Sequence, residues 1–345
     1  MFYICVVTYV SYGVQNRLKT LENLPICICI VGLCLKVLSC VVVKSPMKEQ
    51  IKQFIESKLD EDGVVETGIE GVQIFRVTTS VRCAPAIYEP TVVAIVSGVK
   101  EAILDGEAYI YDSRKYMCCT LSLPVEAGTP KASVENPLLG VTISLNPKIM
   151  SDMVVSMESS AIGLQRAARK PQSGPLPKGL GLAPWDEAFG SALFRLLQLA
   201  DSPLDIAMLG EGRLREFYYA LLKGEAWESA RRAFGVGNDV ARIIEYMSSN
   251  LSEPISIDEI SQKLGMSRAV LHRKFKQATT LSPIQFVKSM RLNKAAMNIA
   301  GGTSVNEAAL DVGYTSSSQF SREFKRLYGQ SPKQWSQSSD LTSLV

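Results

Sequence analysis

One unit occurs twice between residues 256 and 335. The first copy reads Ser256-Ile257-Asp258-Glu259-Ile260, then Leu264-Gly265-Met266-Ser267, then Leu271-His272-Arg273-Lys274-Phe275-Lys276, then Ser282-Pro283. The second reads Ser304-Val305-Asn306-Glu307-Ala308, then Val312-Gly313-Tyr314-Thr315, then Phe320-Ser321-Arg322-Glu323-Phe324-Lys325, then Ser331-Pro332. The offset is 48 up to the glycine and 49 after it, so the second copy has one extra residue in its turn. Each copy opens with the S-x-x-E spacing of a capping box, in which two side chains satisfy orphan backbone N–H groups. A glycine then stands where a helix ends in the left-handed region. A second helix follows after a gap too short for anything but a tight turn.

On that second helix Leu271 and Phe275, and in the other copy Phe320 and Phe324, lie four apart on one face. Arg268, His272, Arg273 and Lys276 are left pointing outward in the first copy, and Ser318, Gln319, Arg322 and Lys325 in the second. Helices opening Ser-Pro-x-Gln at 282–285 and 331–334 follow both, with proline at the first helical turn, where it fits. A doubled helix-turn-helix of this kind resembles the AraC/XylS family of bacterial transcription regulators. The most specific carriers are Gly313-Tyr314, the run Gln319 to Arg326, and Gly329-Gln330-Ser331-Pro332.

The charge is divided unevenly. Residues 251–338 hold twelve Lys/Arg against six Asp/Glu, a net of +6, which leaves −3 on the remainder of a chain whose total is +3. A basic terminal domain on a mildly acidic body suits a polyphosphate partner. The chain has one histidine, His272. Sites of two or three imidazoles are therefore excluded, and so is triad chemistry unless His272 itself serves. Eight cysteines include no C-x-x-C pair, so no metal and no cofactor are expected.

Residues 1–46 read as an atypical apolar leader. Leu24 to Val43 is long enough for a bilayer span, but Lys36 interrupts it. Two readings stay open: translation starting at Met47 to give a cytoplasmic protein, or an inner-membrane anchor through 24–43. Residues 47–60 have helical spacing, with Ile51, Phe54, Ile55 and Leu59 on one stripe. Strand-like runs follow at 72–79, 91–99, 100–104, 107–111, 117–123 and 138–145, parted by turn residues. Asp105-Gly106 marks a hairpin between two of them. Short regular strands of this kind predict a small barrel or sandwich.

This stretch also resembles the N-terminal domain of one AraC/XylS branch. The carriers are Ala86-Ile87-Tyr88-Glu89-Pro90, the run Val96 to Lys100, the run Leu121 to Val125, and Glu135-Asn136-Pro137. The resemblance implies a cupin-like barrel that senses a small-molecule effector, and Cys118-Cys119 departs from it. It further implies double-stranded DNA, RNA polymerase and a second copy of the chain as partners.

Further along, a helix is expected from Asn146-Pro147 to about 156, then a loop or linker to 184. A helix over 185–199 and a helical connector to 238 complete the path to the first DNA-domain helix at 240–250. The apolar stripe of Leu214, Phe217, Tyr218, Leu221 and Leu222 is core or a dimer face. The expected fold is α+β: a cupin-like β-barrel with helices, then an all-α domain of two helix-turn-helix motifs joined by a long helix. The expected divisions are 47–205 for the sensor, 206–238 for the connector and 239–338 for the DNA-binding domain, with motifs near 256–277 and 304–327.

Each outward arginine, Arg273 and Arg322, can reach guanine or a phosphate. Arg268, His272 and Gln319 are further candidates for base readout, and Ser318, Lys276 and Lys325 for phosphate contact. Cys83 and Cys118 are candidates for effector sensing, given Arg82, Arg114 and Lys115 nearby, since a reactive thiol needs a lowered pKa. The alternative is that they are small core residues. An enzyme built on the barrel and an architectural DNA-binding protein are the competing functions. The first lacks the histidines of metal chemistry, and the second leaves the barrel without a purpose.

Overall fold

The computed structural model describes residues 46–160, 178–235 and 238–337. The apolar run at 24–43 lies outside them. The first helix, α1 (Pro46–Lys58), buries Ile51 and Ile55 completely against the β-domain. Ten strands follow: β1 (Gly63–Glu66), β2 (Val72–Val77), β3 (Val81–Tyr88), β4 (Thr91–Ser97), β5 (Val99–Leu104), β6 (Glu107–Asp112), β7 (Lys115–Cys119), β8 (Leu123–Thr129), β9 (Leu138–Ser144) and, after α2 (Pro147–Ser159), β10 (Leu180–Pro184). They form a six-stranded sheet in the order β1-β2-β9-β4-β7-β10 and a four-stranded sheet in the order β3-β8-β5-β6. The described pairs are antiparallel.

The chain passes from one sheet to the other at Gly98. Its φ is +80°, and a Cβ there would lie 2.9 Å from Leu138 Cα, so only glycine fits. Asp105 (φ 51°) and Gly106 (φ 77°) make the expected two-residue hairpin, which pairs Leu104 with Glu107.

The strands differ from the sequence expectation at four places. The run at 117–123 is two elements, because β7 ends at Cys119 and β8 starts at Leu123. β3 carries Pro85 and a register shift between Val81 and Ala84. It is an edge strand, where a missing N–H costs nothing. β1 is a four-residue edge strand exposed along its length. β10, Leu-Gly-Leu-Ala-Pro, lies in the stretch expected to be linker and pairs with β7 at the sheet edge.

The connecting helices are α3 (Glu187–Leu197), α4 (Pro203–Lys223) and α5 (Trp227–Phe234). α4 is one continuous helix across the division expected at 205. Its stripe of Leu214, Phe217, Tyr218, Leu221 and Leu222 is buried within this single chain, so it is core. Tyr218 donates to Ser144 O at 2.7 Å and accepts from Asn146 N, tying α4 to the end of β9.

The terminal helices are α6 (Asp239–Ser249), α7 (Ile257–Lys263), α8 (Arg268–Thr279), α9 (Pro283–Ala300), α10 (Val305–Asp311), α11 (Ser317–Tyr328) and α12 (Pro332–Trp335). A continuous core runs from the β-domain through α3 to α6 into α8 and the first half of α9, as far as Met290. A second core starts at Leu292 and contains Ala308, Val312, Tyr314, Phe320, Phe324 and Trp335. None of the described helices is long and apolar enough to cross a membrane.

Candidate nucleic-acid interface

The two copies fold alike. α7 and α8 form the first helix-turn-helix, with Gly265 at φ 62°; α10 and α11 form the second, with Gly313 at φ 85°. Gly313 has an added reason to be glycine, since a Cβ would meet Ser252 O at 2.6 Å. Ser256 and Ser304 accept from the N–H of Glu259 and Glu307, both at 3.3 Å. The reciprocal carboxylate bond to the cap backbone forms at neither. The complete capping boxes are instead Ser282–Gln285 and Ser331–Gln334.

Leu271, Phe275, Phe320 and Phe324 are fully buried, which sets the phase of both second helices. Opposite them Arg268, Arg273 and Lys276 are exposed and His272 is half-buried; Ser318, Gln319, Arg322 and Lys325 are exposed. Arg273 and Arg322 occupy equivalent places two residues before Phe275 and Phe324. Among the described residues neither forms an ion pair; Arg322 donates from Nε to the Ser318 carbonyl at 3.3 Å. Arg268 is tied to Asp258 at 3.2 Å, an exposed pair that DNA phosphate can replace. Gln319 reaches Glu323 at 3.5 Å, and Ser318 reaches the capping Ser316 at 3.0 Å.

Glu323 points back to the scaffold, taking Lys288 at 2.9 Å and the Tyr314 hydroxyl at 2.8 Å. Burial pulls its pKa up, but hydrogen bonds from Lys288, Tyr314 and Gln319 together hold the carboxyl below its usual value. It is a brace between α9 and α11. Arg326 is exposed four residues beyond Arg322, on the same face of α11. It was not among the residues expected to contact DNA, although the i, i+4 spacing points to it.

Two polar contacts tie the heads to the β-domain. Asn293, buried in the middle of α9, donates to the carbonyls of Ala86 on β3 (2.8 Å) and Val125 on β8 (3.0 Å). Its own oxygen accepts from Tyr328 at the end of α11, at 2.7 Å. Gly179 N also donates to Ala278 O at the end of α8, at 2.8 Å.

Cys83, Cys118 and Cys119 are free thiols. Arg114 is engaged by Asp112 at 2.7 Å. Burial pushes the Cys118 thiol up to about 12. Cys83 is pushed to about 11, by burial first and then by Glu101 and Glu126. Burial also raises Cys119, which donates to Leu121 O. Tyr116 stacks on Phe189 of α3 at 4.0 Å, so Cys118, two residues on, faces the helices and not the barrel interior. β7 lies between β4 and β10 with both faces covered, which is why two adjacent cysteines are both buried. Cys118 and Cys119 are thus core thiols, and Cys83 is half-buried.

Two helix-turn-helix units on one long helix, docked on a two-sheet β-domain, define a two-part helix-turn-helix protein. The chain belongs to the AraC family of transcriptional regulators. Residues 68–229 match the AraC-type transcriptional regulator N-terminus, and residues 260–338 match a helix-turn-helix domain. The chain is similar to the HTH-type transcriptional regulator MtrA of Neisseria gonorrhoeae, 36% identical over 116 residues, which is 33% of this chain and 35% of that protein. It is similar to the HTH-type transcriptional activator RhaS of Escherichia fergusonii, 30% identical over 122 residues, which is 35% of this chain and 41% of that protein. The matched portion thus spans well under half the length of these relatives. A crystal structure of ToxT from Vibrio cholerae superposes on 77% of this chain and 97% of its own with a TM-score of 0.50 at 15% identity, a likeness of fold.

Proposed function

We propose that this protein is a sequence-specific transcription regulator that places α8 and α11 in successive major grooves and answers to a small molecule through its β-domain. The observation that carries the reading is the repeated display of an exposed arginine, Arg273 and Arg322, on two recognition helices joined by one 18-residue helix. At a rise of 1.5 Å per residue that helix spans about 27 Å, which suits heads set about one DNA turn apart on one face of a site of ~20 bp. Arg273, Arg322, Arg268, His272 and Gln319 read base edges; Lys276, Lys325 and Ser318 hold phosphates. RNA polymerase and a second copy of the chain are the protein partners of this reading. To test it, genomic fragments are selected on the full chain, and the recovered duplex is compared with a scrambled one in a gel shift. Equal affinity for both at physiological salt would overturn it.

A further inference from the structure

The two reading heads do not share an apolar core. The first core ends on α9 at Met290 and the second starts at Leu292, so Arg291 is the residue between them. Apolar packing alone therefore leaves the angle between α8 and α11 to the curvature of one helix. Polar contacts cross the gap, and they meet at the loop 250–256 that leads from α6 into α7.

Arg291 is half-buried and donates from Nη2 to the Glu253 carbonyl at 2.8 Å. A charged donor makes that bond stronger than one between neutral groups. Its Nε is buried, so the side chain lies along the protein and not out in solvent. The loop is turned by Glu253 N donating to Asn250 O at 3.1 Å, and the Asn250 amide is anchored to the Tyr246 carbonyl of α6 at 2.7 Å. Against the same loop lies the turn of the second helix-turn-helix. Gly313 there leaves no room for a Cβ, which would lie 2.6 Å from Ser252 O and 3.0 Å from Leu251 O. One turn before Arg291 on the same face of α9, Lys288 holds Glu323 of α11 at 2.9 Å. Glu323 in turn takes the hydroxyl of Tyr314, the residue after Gly313. These contacts form one seam, in which Arg291 grips the first head and Lys288 the second.

We propose that Arg291 is a positioning residue for DNA recognition. By holding the 250–256 loop to α9 it fixes the angle between α8 and α11, and so the number of base pairs between the two sequences they read. Adding or removing one base pair moves a groove by about 3.4 Å along the axis and turns it by roughly 35° around it. Heads clamped at the seam cannot follow that change, whereas heads free to pivot about α9 can. The proposal rests on the reading of α8 and α11 as groove-reading helices, and it adds what sets their spacing.

The test is a gel shift of the full chain on its selected duplex and on two remade duplexes. These have one base pair inserted or removed midway between the two stretches protected in a hydroxyl-radical footprint. The parent is expected to lose at least tenfold in affinity on each remade duplex. In Arg291→Met, which keeps the stem and removes the donor, that penalty should shrink to threefold or less. The melting temperature should not change, because Glu253 is exposed and its carbonyl reverts to water. Arg291→Lys, which keeps a charged donor at this place, should restore most of the penalty. A full penalty in Arg291→Met overturns the proposal, and so does a parent that accepts all three spacings equally. Weakening by one common factor on all three duplexes would make Arg291 a DNA contact, and a penalty that shrinks only with a lowered melting temperature would make it a general support of the fold. Either result overturns the positioning role. A parent that binds its selected duplex no better than a scrambled one sinks the groove reading itself, before any spacing is compared.

Discussion

Arg273 and Arg322 stand at one place in two copies of a motif, and their replacement tests the interface most directly. Each good bidentate base contact is worth roughly 1–3 kcal/mol. The double change Arg273→Ala and Arg322→Ala should remove specific binding in a gel shift without altering the melting curve, because both side chains are exposed. Specific binding that survives in the double variant would mean that α8 and α11 do not enter the grooves. Lys100 gives a second test at this scale. It lies over the Phe75 ring at 5.8 Å, and burial lowers its pKa from 10.5 to about 8. A lysine depressed in the folded state binds fewer protons there than when unfolded, so stability rises with pH between about 8 and 10.5. Lys100→Met should therefore stabilise the protein by about 1–3 kcal/mol at neutral pH. That advantage should fade as pH approaches 10.5, measured as the difference in urea midpoint between variant and parent. A pH-independent difference would show that the ammonium is not what the fold resists.

Among elements, the second reading head is the one with an apolar core of its own. Phe324 packs on Phe320, Tyr328 and Trp335 at ring distances of 5.4, 4.6 and 5.8 Å, in a core separate from the rest. Phe324→Ala should cost roughly 3–5 kcal/mol. The loss should appear as faster amide exchange over 305–337, with protection in the β-domain retained. Uniform loss across the chain would mean that the two cores melt as one. These helices were legible in the sequence because a duplicated pattern repeats its caps, its glycine and its aromatic pair in register. The β5–β6 hairpin was legible from Asp105-Gly106. β3 and β10 were not, because Pro85, Gly181 and Pro184 look like loop residues, and only an edge position in a sheet makes them tolerable. The outward residues of the interface followed from helix phase alone. Asn293 did not, since the partners of a buried amide are neighbours distant in the chain.

At the scale of the whole molecule, Asn293 is where the β-domain holds the reading heads. Asn293→Leu keeps a side chain of similar bulk but leaves the Ala86 and Val125 carbonyls and the Tyr328 hydroxyl without their partner. Each buried group so orphaned costs about 1–3 kcal/mol. The expected outcome in scanning calorimetry is that the second head separates as its own transition at lower temperature; a single unchanged transition would assign the docking to apolar contact alone. The same junction has a thermodynamic corollary. A molecule that loosens or tightens the β-domain on α9 alters DNA affinity by some factor, and linkage then requires DNA to alter the affinity for that molecule by the identical factor. On the proposed reading, a protein seated on its operator and a protein free in solution would sample an effector with different sensitivity, so the dose at which a promoter responds would be set partly by the promoter itself.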